Sequence, residues 1–114
     1  MSVENSGSSR VSSNRPLIDE PERAARLAEM MKALAHPIRL RIVALLSARG
    51  KEYVNRLAED LGLKQAIVSQ QLGILRNRGL VEATRDSGFA YYRLTEPQLE
   101  QMVRCMEGCS IPPR

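Results

Sequence analysis

Two cysteines, Cys105 and Cys109, stand four residues apart in the segment RCMEGC near the end of the sequence. A spacing of four places both thiols on one face of a helix. Sulfur ligands are preferred by soft metal ions and trivalent metalloids, and a thiol pair is also open to oxidation to a disulfide or polysulfide. Cysteine is also among the residues most often buried simply as small apolar side chains. The pair is therefore a candidate sensor site, with structural thiols as the alternative.

A second candidate site lies in KQAIVSQQLGILRNRG, where Val68, Leu72 and Leu75 recur at helical spacing and predict a buried ridge. The opposite arc has amide, hydroxyl and small side chains and no acidic residue, which suits contact with base edges and phosphates. Gly73 belongs to this arc although glycine costs about 1 kcal/mol relative to alanine inside a helix. The arc comprises Gln65, Ala66, Ser69, Gln70, Gly73, Arg76 and Asn77. A solvated polar face is the alternative.

Helices before this segment must position it. A first helix is predicted to open with Asp19 and Glu22 in capping-box spacing and to end before Pro37. Pro37 begins a second helix that ends near Gly50, and His36 at its entry is interpreted as a helix-terminal hydrogen-bonding group rather than a metal ligand. A short third helix over YVNRLAEDLG, followed by a tight turn, completes the layout of a helix-turn-helix.

Several arginines have two open interpretations at this point. Arg39 and Arg41 in the second helix are either phosphate-facing or solvated. Arg10 and Arg15 belong to a Ser-rich start that is predicted to be flexible, with a DNA-groove arm as the alternative.

A β-hairpin is predicted after the fourth helix. Leu80 to Thr84 and Phe89 to Leu94 are β-prone runs, joined by a polar four-residue turn that begins with Arg85. Arg85 near the tip and Arg93 on the second strand are candidate phosphate contacts. A last helix follows, predicted to be capped by Thr95 and Gln98 and stopped at Gly108, and it carries the cysteine pair.

Composition excludes several classes of protein. The chain has 114 residues, a formal net charge of +4 and two cysteines, so a disulfide framework of the secreted kind is excluded. No apolar run resembles a signal peptide or a membrane span, and we expect a cytoplasmic protein with reduced thiols. The single histidine lies far from both cysteines, which disfavours an enzyme. The predicted domains are a tail over 1–18, a DNA-binding and dimerisation domain over 19–109 and a short tail over 110–114.

The combined pattern resembles the ArsR/SmtB family of repressors. LAHPIRLRIVALL is similar to the family's second helix, LAEDLGLKQAIVSQQLGILRNRGLVE to its helix-turn-helix, and RDSGFAYYRLT to its wing. The resemblance implies a mainly α, α+β winged helix-turn-helix that pairs as a homodimer through its first and last helices. A chain this short also needs a partner to cover the remaining apolar surface of those helices.

The resemblance also implies a mode of action. A homodimer would bind a palindromic double-stranded operator, with half-sites about 34 Å apart, and leave it when a small effector arrives. By position, Arg85 would contact the minor groove or the backbone. The residues that would face the major groove are Lys64, Gln65, Ala66, Ser69 and Gln70. The family often has histidine where this chain has Gln71, and we expect Arg76 to contact phosphate.

The family's known sensor sites are missing from this sequence. KEYVNRLA replaces the cysteine-bearing motif of the third helix, and a lone histidine cannot supply the zinc ligands of the last helix. Cys105 and Cys109 are then the candidate effector ligands, for arsenite, antimonite or another soft metal, while DNA binding itself needs no cofactor. Thiol oxidation, with or without polysulfide, is the alternative response. A winged-helix protein-interaction module is the alternative of another class.

Overall fold

The computed structural model describes residues 15–113. The flexible start predicted from the sequence, with Arg10, falls on residues 1–14, which lie outside the described residues, as does Arg114. The described residues form two units, 15–31 and 32–113, and the division falls inside the first α-helix. No helix within them is long and apolar enough to cross a membrane.

The first unit contains a short 3-10 helix, Leu17–Asp19, and most of helix α1, Pro21–Leu34. Glu20 stands between the two and forms an ion pair with Arg15 at 3.1 Å. The predicted capping role of Asp19 is wrong, because Asp19 lies inside the 3-10 helix and α1 begins two residues later. In the described residues Arg15 is thus engaged within its own segment.

Helix α2, Pro37–Arg49, begins as the sequence predicts. Proline at the first helical position has no N–H to satisfy, and the ring nitrogen Nδ1 of His36 accepts a hydrogen bond from the backbone N–H of Ile38 at 3.1 Å. The chain turns away from the helix at Gly50. The prediction that His36 serves as a hydrogen-bonding group at the helix terminus is confirmed.

Helices α3, Val54–Leu61, and α4, Gln65–Asn77, form the helix-turn-helix. Gly62 ends α3 in the left-handed region, at φ 69° and ψ 35°, where a residue with a Cβ would be strained. The next amide, of Leu63, donates back to the Ala58 carbonyl at 2.9 Å. Only Gly62, Leu63 and Lys64 separate α3 from α4, and this short closed turn fixes the direction of α4.

The wing is part of a three-stranded antiparallel sheet. Its strands are β1, Glu52–Tyr53, β2, Val81–Asp86, and β3, Phe89–Leu94, in the order β1-β3-β2. The predicted four-residue turn is wrong in length, because β2 continues through Arg85 and Asp86 and only Ser87 and Gly88 form the loop. Both have positive φ, 54° and 85°, the pattern of a type I′ hairpin.

Helix α5, Pro97–Glu107, follows the hairpin and ends at Gly108 as predicted. The predicted cap by Thr95 is wrong, since its hydroxyl donates to the Gly79 carbonyl at 2.6 Å and so ties the end of β3 to the end of α4. Arg93 pairs with Glu82 across the hairpin at 2.9 Å.

The core of the second unit lies between α2, α4 and α5. Its side chains come from every helix of that unit and from the start of the hairpin, and the buried polar residue among the described residues is Gln71 on α4. The ridge predicted for the fourth helix is confirmed. The largest core side chains are Ile42, Val43, Leu46, Leu57, Val68, Leu72, Leu75, Val81 and Leu99.

Candidate nucleic-acid interface

One side of α4 packs against the core and the other is largely exposed. Val68, Leu72 and Leu75 are fully buried and hold the helix against the core, so the residues on the opposite side point to solvent. We call that side the reading face. It comprises the exposed Gln65, Ala66, Ser69, Gln70, Arg76 and Asn77 and the half-buried Gly73.

The polar groups of the reading face are not used within the protein. Across residues 15–113, the side chains of Gln65, Ser69 and Gln70 make no hydrogen bond to one another or to the remainder. Lys64, the residue before the helix, and Arg76 near its end likewise form no ion pair there. Because α4 contains no acidic residue, the face presents free donors and acceptors in a positive environment that suits phosphate oxygens and base edges.

The wing and the starts of α3 and α4 line an open cavity of about 360 Å³. Gln65 lies on one side of it and the hairpin on the other, and no acidic residue lines it. Arg85, predicted at the wing tip, is exposed, and its guanidinium donates to the Gly88 carbonyl at 3.4 Å. The lining residues are Tyr53, Val54, Asn55, Gln65, Gly88, Phe89 and Ala90.

An exposed aromatic side chain stands in this cavity. Phe89 is 67% exposed and meets the ring of Tyr53 edge to face, with centroids 6.1 Å apart. Tyr53 in turn meets Tyr91 at 5.8 Å, and the Lys51 ammonium lies 4.5 Å above the Tyr91 ring. Tyr53 therefore packs between Phe89 and Tyr91. The Phe89 ring remains exposed and lines the same cavity as Gln65.

Arginines of α2 form contacts within the protein. Arg41 donates to the Leu61 carbonyl at the end of α3 at 3.0 Å, and Arg49 pairs with Asp60 at 2.5 Å. The pKa of Arg49 is raised above its ordinary value, mainly because its guanidinium donates a hydrogen bond to the Asp60 carboxylate. Both contacts tie α2 to the last turn of α3. Arg41 itself is exposed, so the solvated interpretation fits the structure, and a contact of Arg41 with phosphate stays a prediction.

Arg39 differs from Arg41, because two acceptors inside the protein hold its guanidinium. Its Nη1 donates to the side-chain oxygen of Gln71 on α4 at 2.8 Å, and its Nε donates to the Ala33 carbonyl in the last turn of α1 at 2.5 Å. The guanidinium is half-buried between these acceptors. It is neither solvated nor turned toward a phosphate.

The two cysteines lie at the far end of α5. Both are exposed, and the Cys109 thiol donates weakly to the Cys105 carbonyl oxygen at 3.5 Å. The residue that follows the helix end thus places its thiol against the backbone of the last turn, at Cys105. Within residues 15–113, no group of three histidine, cysteine or acidic side chains is arranged to hold a metal ion.

Sequence reasoning missed three residues of this region. Asn55 lies in the first turn of α3, directly after the two-residue strand β1, and Phe89 begins β3 after the tight hairpin loop. Neither the short strand nor the two-residue loop has a clear sequence signal. Gln71 follows Gln70 in the sequence and looks like another polar surface residue. Its position between Val68 and Leu75 on the buried side of the helix was the available signal.

Comparison with known proteins identifies relatives of this chain. Residues 36–83 match the model of the bacterial regulatory proteins of the arsR family. The biofilm growth-associated repressor of Xylella fastidiosa is 40% identical over 88 residues, which cover 77% of this chain and 76% of that protein.

Solved structures agree with the fold. The AntR antimony-specific transcriptional repressor superposes with a TM-score of 0.71 at 30% identity and covers 91% of this chain and 92% of its own. The homodimeric winged helix-turn-helix DNA-binding domain of Mb0332 from Mycobacterium bovis has a TM-score of 0.67 at 30% identity, covering 77% and 81%. Relatives of this kind are transcriptional regulators, which confirms that the chain is not an enzyme. The helix-turn-helix, its wing and these relationships together establish that the chain belongs to the arsR family of DNA-binding transcriptional repressors.

Proposed function

We propose that this repressor binds a palindromic operator as a homodimer, with the reading face of α4 in the major groove and the wing on the adjacent backbone or minor groove. The observation that carries the proposal is the set of unpartnered polar side chains on a helix face without acidic residues. Lys64, Gln65, Ala66, Ser69 and Gln70 face the bases, and Arg76 and Arg85 face phosphates.

Dimer formation supports this geometry. The Mb0332 domain, which is similar over most of this chain, is described as homodimeric. An operator with twofold symmetry then places two copies of α4 in successive major grooves, about 34 Å apart. In this proposal the two copies pair through α1 and α5, as the family resemblance implies. A regulator of this kind acts where the DNA is, in the cytoplasm, where thiols stay reduced.

The cysteine pair supplies the effector site in this proposal. Two exposed thiols at the end of α5 suit arsenite, antimonite or another soft metal ion, since such ions prefer sulfur ligands. AntR, similar over nine-tenths of this chain, is named as antimony-specific. One chain provides two thiols, so a third ligand has to come from solvent or from the partner subunit. Ligation at the dimer seam changes the spacing of the two reading faces and releases the operator.

Oxidation of the same thiols is a second candidate, favoured by their exposure. Hydrogen peroxide would take two hydrogens from Cys105 and Cys109 to give one disulfide and two water molecules. Alternatively, one thiolate of the pair attacks a sulfane sulfur of a polysulfide; a cysteine persulfide forms, and the polysulfide leaves one sulfur shorter. Both responses use the same residues and differ from metal binding in the reagent that releases DNA.

The test of DNA recognition compares the wild type with Gln65→Ala and Arg76→Ala on a duplex selected by the protein from a random pool. Fluorescence anisotropy is measured over a series of salt concentrations. Gln65→Ala should relax discrimination at particular bases, and Arg76→Ala should weaken every duplex and lower the salt slope by about 1. Arg104→Ala is the matched control, since Arg104 pairs with Glu100 on α5.

The effector test adds arsenite, antimonite or hydrogen peroxide to the reduced complex of protein and operator. The matched variant carries Cys105→Ser and Cys109→Ser. Release from the wild type alone by arsenite or antimonite supports metalloid sensing, and release by peroxide alone supports oxidation. Equal behaviour of both proteins with every reagent contradicts a sensory role of the pair. A wild type whose DNA binding lacks steep salt dependence would instead favour a protein-interaction module.

A further inference from the structure

The reading helix carries a buried amide on the side away from DNA. Gln71 is 9% exposed, and among the described residues it is the buried polar side chain of the core. Its oxygen accepts from Arg39 at 2.8 Å across 32 positions of sequence. The other bond of the same guanidinium goes to the Ala33 carbonyl in the last turn of α1. One cation therefore joins the end of α1 to the inner side of α4.

Folding stability alone does not require this arrangement. Replacing both partners of a buried hydrogen bond by apolar groups of similar shape is often nearly neutral, whereas leaving one partner unpaired is costly. Apolar neighbours such as Leu72 and Leu75 already hold α4 against the core. The hydrogen-bonded pair therefore adds a constraint that apolar packing does not provide, namely a fixed orientation of α4.

The orientation of α4 matters because hydrogen bonds to base edges require a short distance and a narrow range of angles. Hydrogen bonds weaken when the donor–acceptor distance exceeds about 3.2 Å or the angle departs far from linear. Ser69 and Gln70 stand next to Gln71 in the chain, so a slide or rotation of α4 that breaks the Arg39 bond also displaces them. Apolar contacts tolerate such a movement better than a charged hydrogen bond does, because they have no preferred angle.

We propose that Arg39 and Gln71 are a positioning pair. Their hydrogen bond fixes the rotation of α4 about its axis and its position along that axis, and thereby determines how well the protein discriminates its operator from other DNA. Neither residue touches DNA. The proposal rests on the proposed function, because it assumes that the reading face meets base edges. Through the Ala33 carbonyl, the last turn of α1 belongs to the same hydrogen-bonded unit and moves with the reading helix.

The test measures the ratio of affinities for the selected operator and for a scrambled duplex of equal length. The variants are Gln71→Met, which keeps length and removes the acceptor, Arg39→Met, and the double variant. Arg41→Met is the matched control, because it removes another α2 arginine whose bond goes to α3. Gln71→Glu retains an acceptor for Arg39 and serves as the conservative rescue.

We expect Gln71→Met and Arg39→Met each to lower the ratio about tenfold, the loss typical of one good base contact. In Gln71→Met, affinity for scrambled DNA should stay within about twofold, because no cation is removed. The double variant should lose no more than the worse single variant, as expected for coupled residues. Arg41→Met and Gln71→Glu should keep the wild-type ratio.

Three results would overturn the positioning pair: an unchanged ratio in Gln71→Met, additive losses in the double variant, or a loss in Gln71→Glu equal to that in Gln71→Met. If Gln71→Met does not fold, the comparison of Arg39→Met with Arg41→Met and Gln71→Glu decides. Failure of the proposed function has a different signature, since the wild type itself would then show no preference for any duplex.

Discussion

Replacing Gly73 by alanine separates the demands of folding from those of DNA binding. The substitution lies in the middle of α4, where glycine costs about 1 kcal/mol relative to alanine. A Cβ built at Gly73 meets nothing within 4 Å, apart from its chain neighbours and its own helix, so the new methyl group fits without a shift. We therefore expect the free energy of unfolding to rise by about 0.5–1 kcal/mol, which is a rise of several degrees in Tm for a domain of this size.

The effect on DNA binding should have the opposite sign. At about 100° per residue, Gly73 points between the directions of Ser69 and Gln70, near the middle of the reading face. Nothing in the described residues requires a glycine at this position. Close approach of the helix backbone to the surface of another molecule would explain it. A methyl group at this point should weaken operator binding about tenfold, or about 1.4 kcal/mol.

Both effects are measured on the same preparation. Thermal or urea unfolding at fixed protein concentration gives the stability, because a dimer's stability depends on concentration, and anisotropy with the selected operator gives the affinity. Ala66→Gly is a useful control, since it lowers helix propensity on the same face without adding a group. A Gly73→Ala variant that is more stable and binds the operator as well as the wild type would refute the assignment of this face to DNA.

Three further substitutions probe the supporting structure. Phe89→Ser should weaken binding of all duplexes several-fold and leave Tm nearly unchanged, because the ring is 67% exposed and its loss opens no core cavity, as anisotropy and calorimetry will show. Gly88→Ala should destabilise the wing by about 1 kcal/mol in urea unfolding, since φ is 85° at that position, and Gly88→Asn should cost less. His36→Ala should cost about 0.5–2 kcal/mol through loss of the α2 cap, with His36→Asn as the rescuing control, and an equal cost in both would contradict the capping role.

The order of the helices and the hairpin was accessible from the sequence because periodicity carries it. Pro37 and Gly62 mark helix boundaries through backbone geometry that few other residues share, and the ridge that begins at Val68 has a clear helical period. The β1 strand escaped prediction because two residues have no period. Its pairing with β3 depends on tertiary contact alone.

Side-chain partners were the less predictable part of the site. Arg39 and Arg41 look like candidates for phosphate in a basic sequence, and their acceptors lie 32 and 20 residues further along the chain. A long, flexible side chain reaches acceptors that no local pattern marks. Gln65 and Ser69 were predictable because a helical face needs only its own element to define it.

The difference between paired and unpaired cations also decides how this repressor should recognise DNA. A net charge of +4 gives a general attraction, but Arg15, Arg49 and Arg93 are held by carboxylates within the protein. Cations without such partners in the described chain, among them Lys64 and Arg76, lie beside the amides of the reading face. At these two positions, unpaired positive charge and the candidate sequence-reading groups lie together, so a duplex attracted there would also meet the amides of α4. Discrimination between duplexes should then depend on the orientation of α4, whereas affinity for any duplex should depend on these few cations.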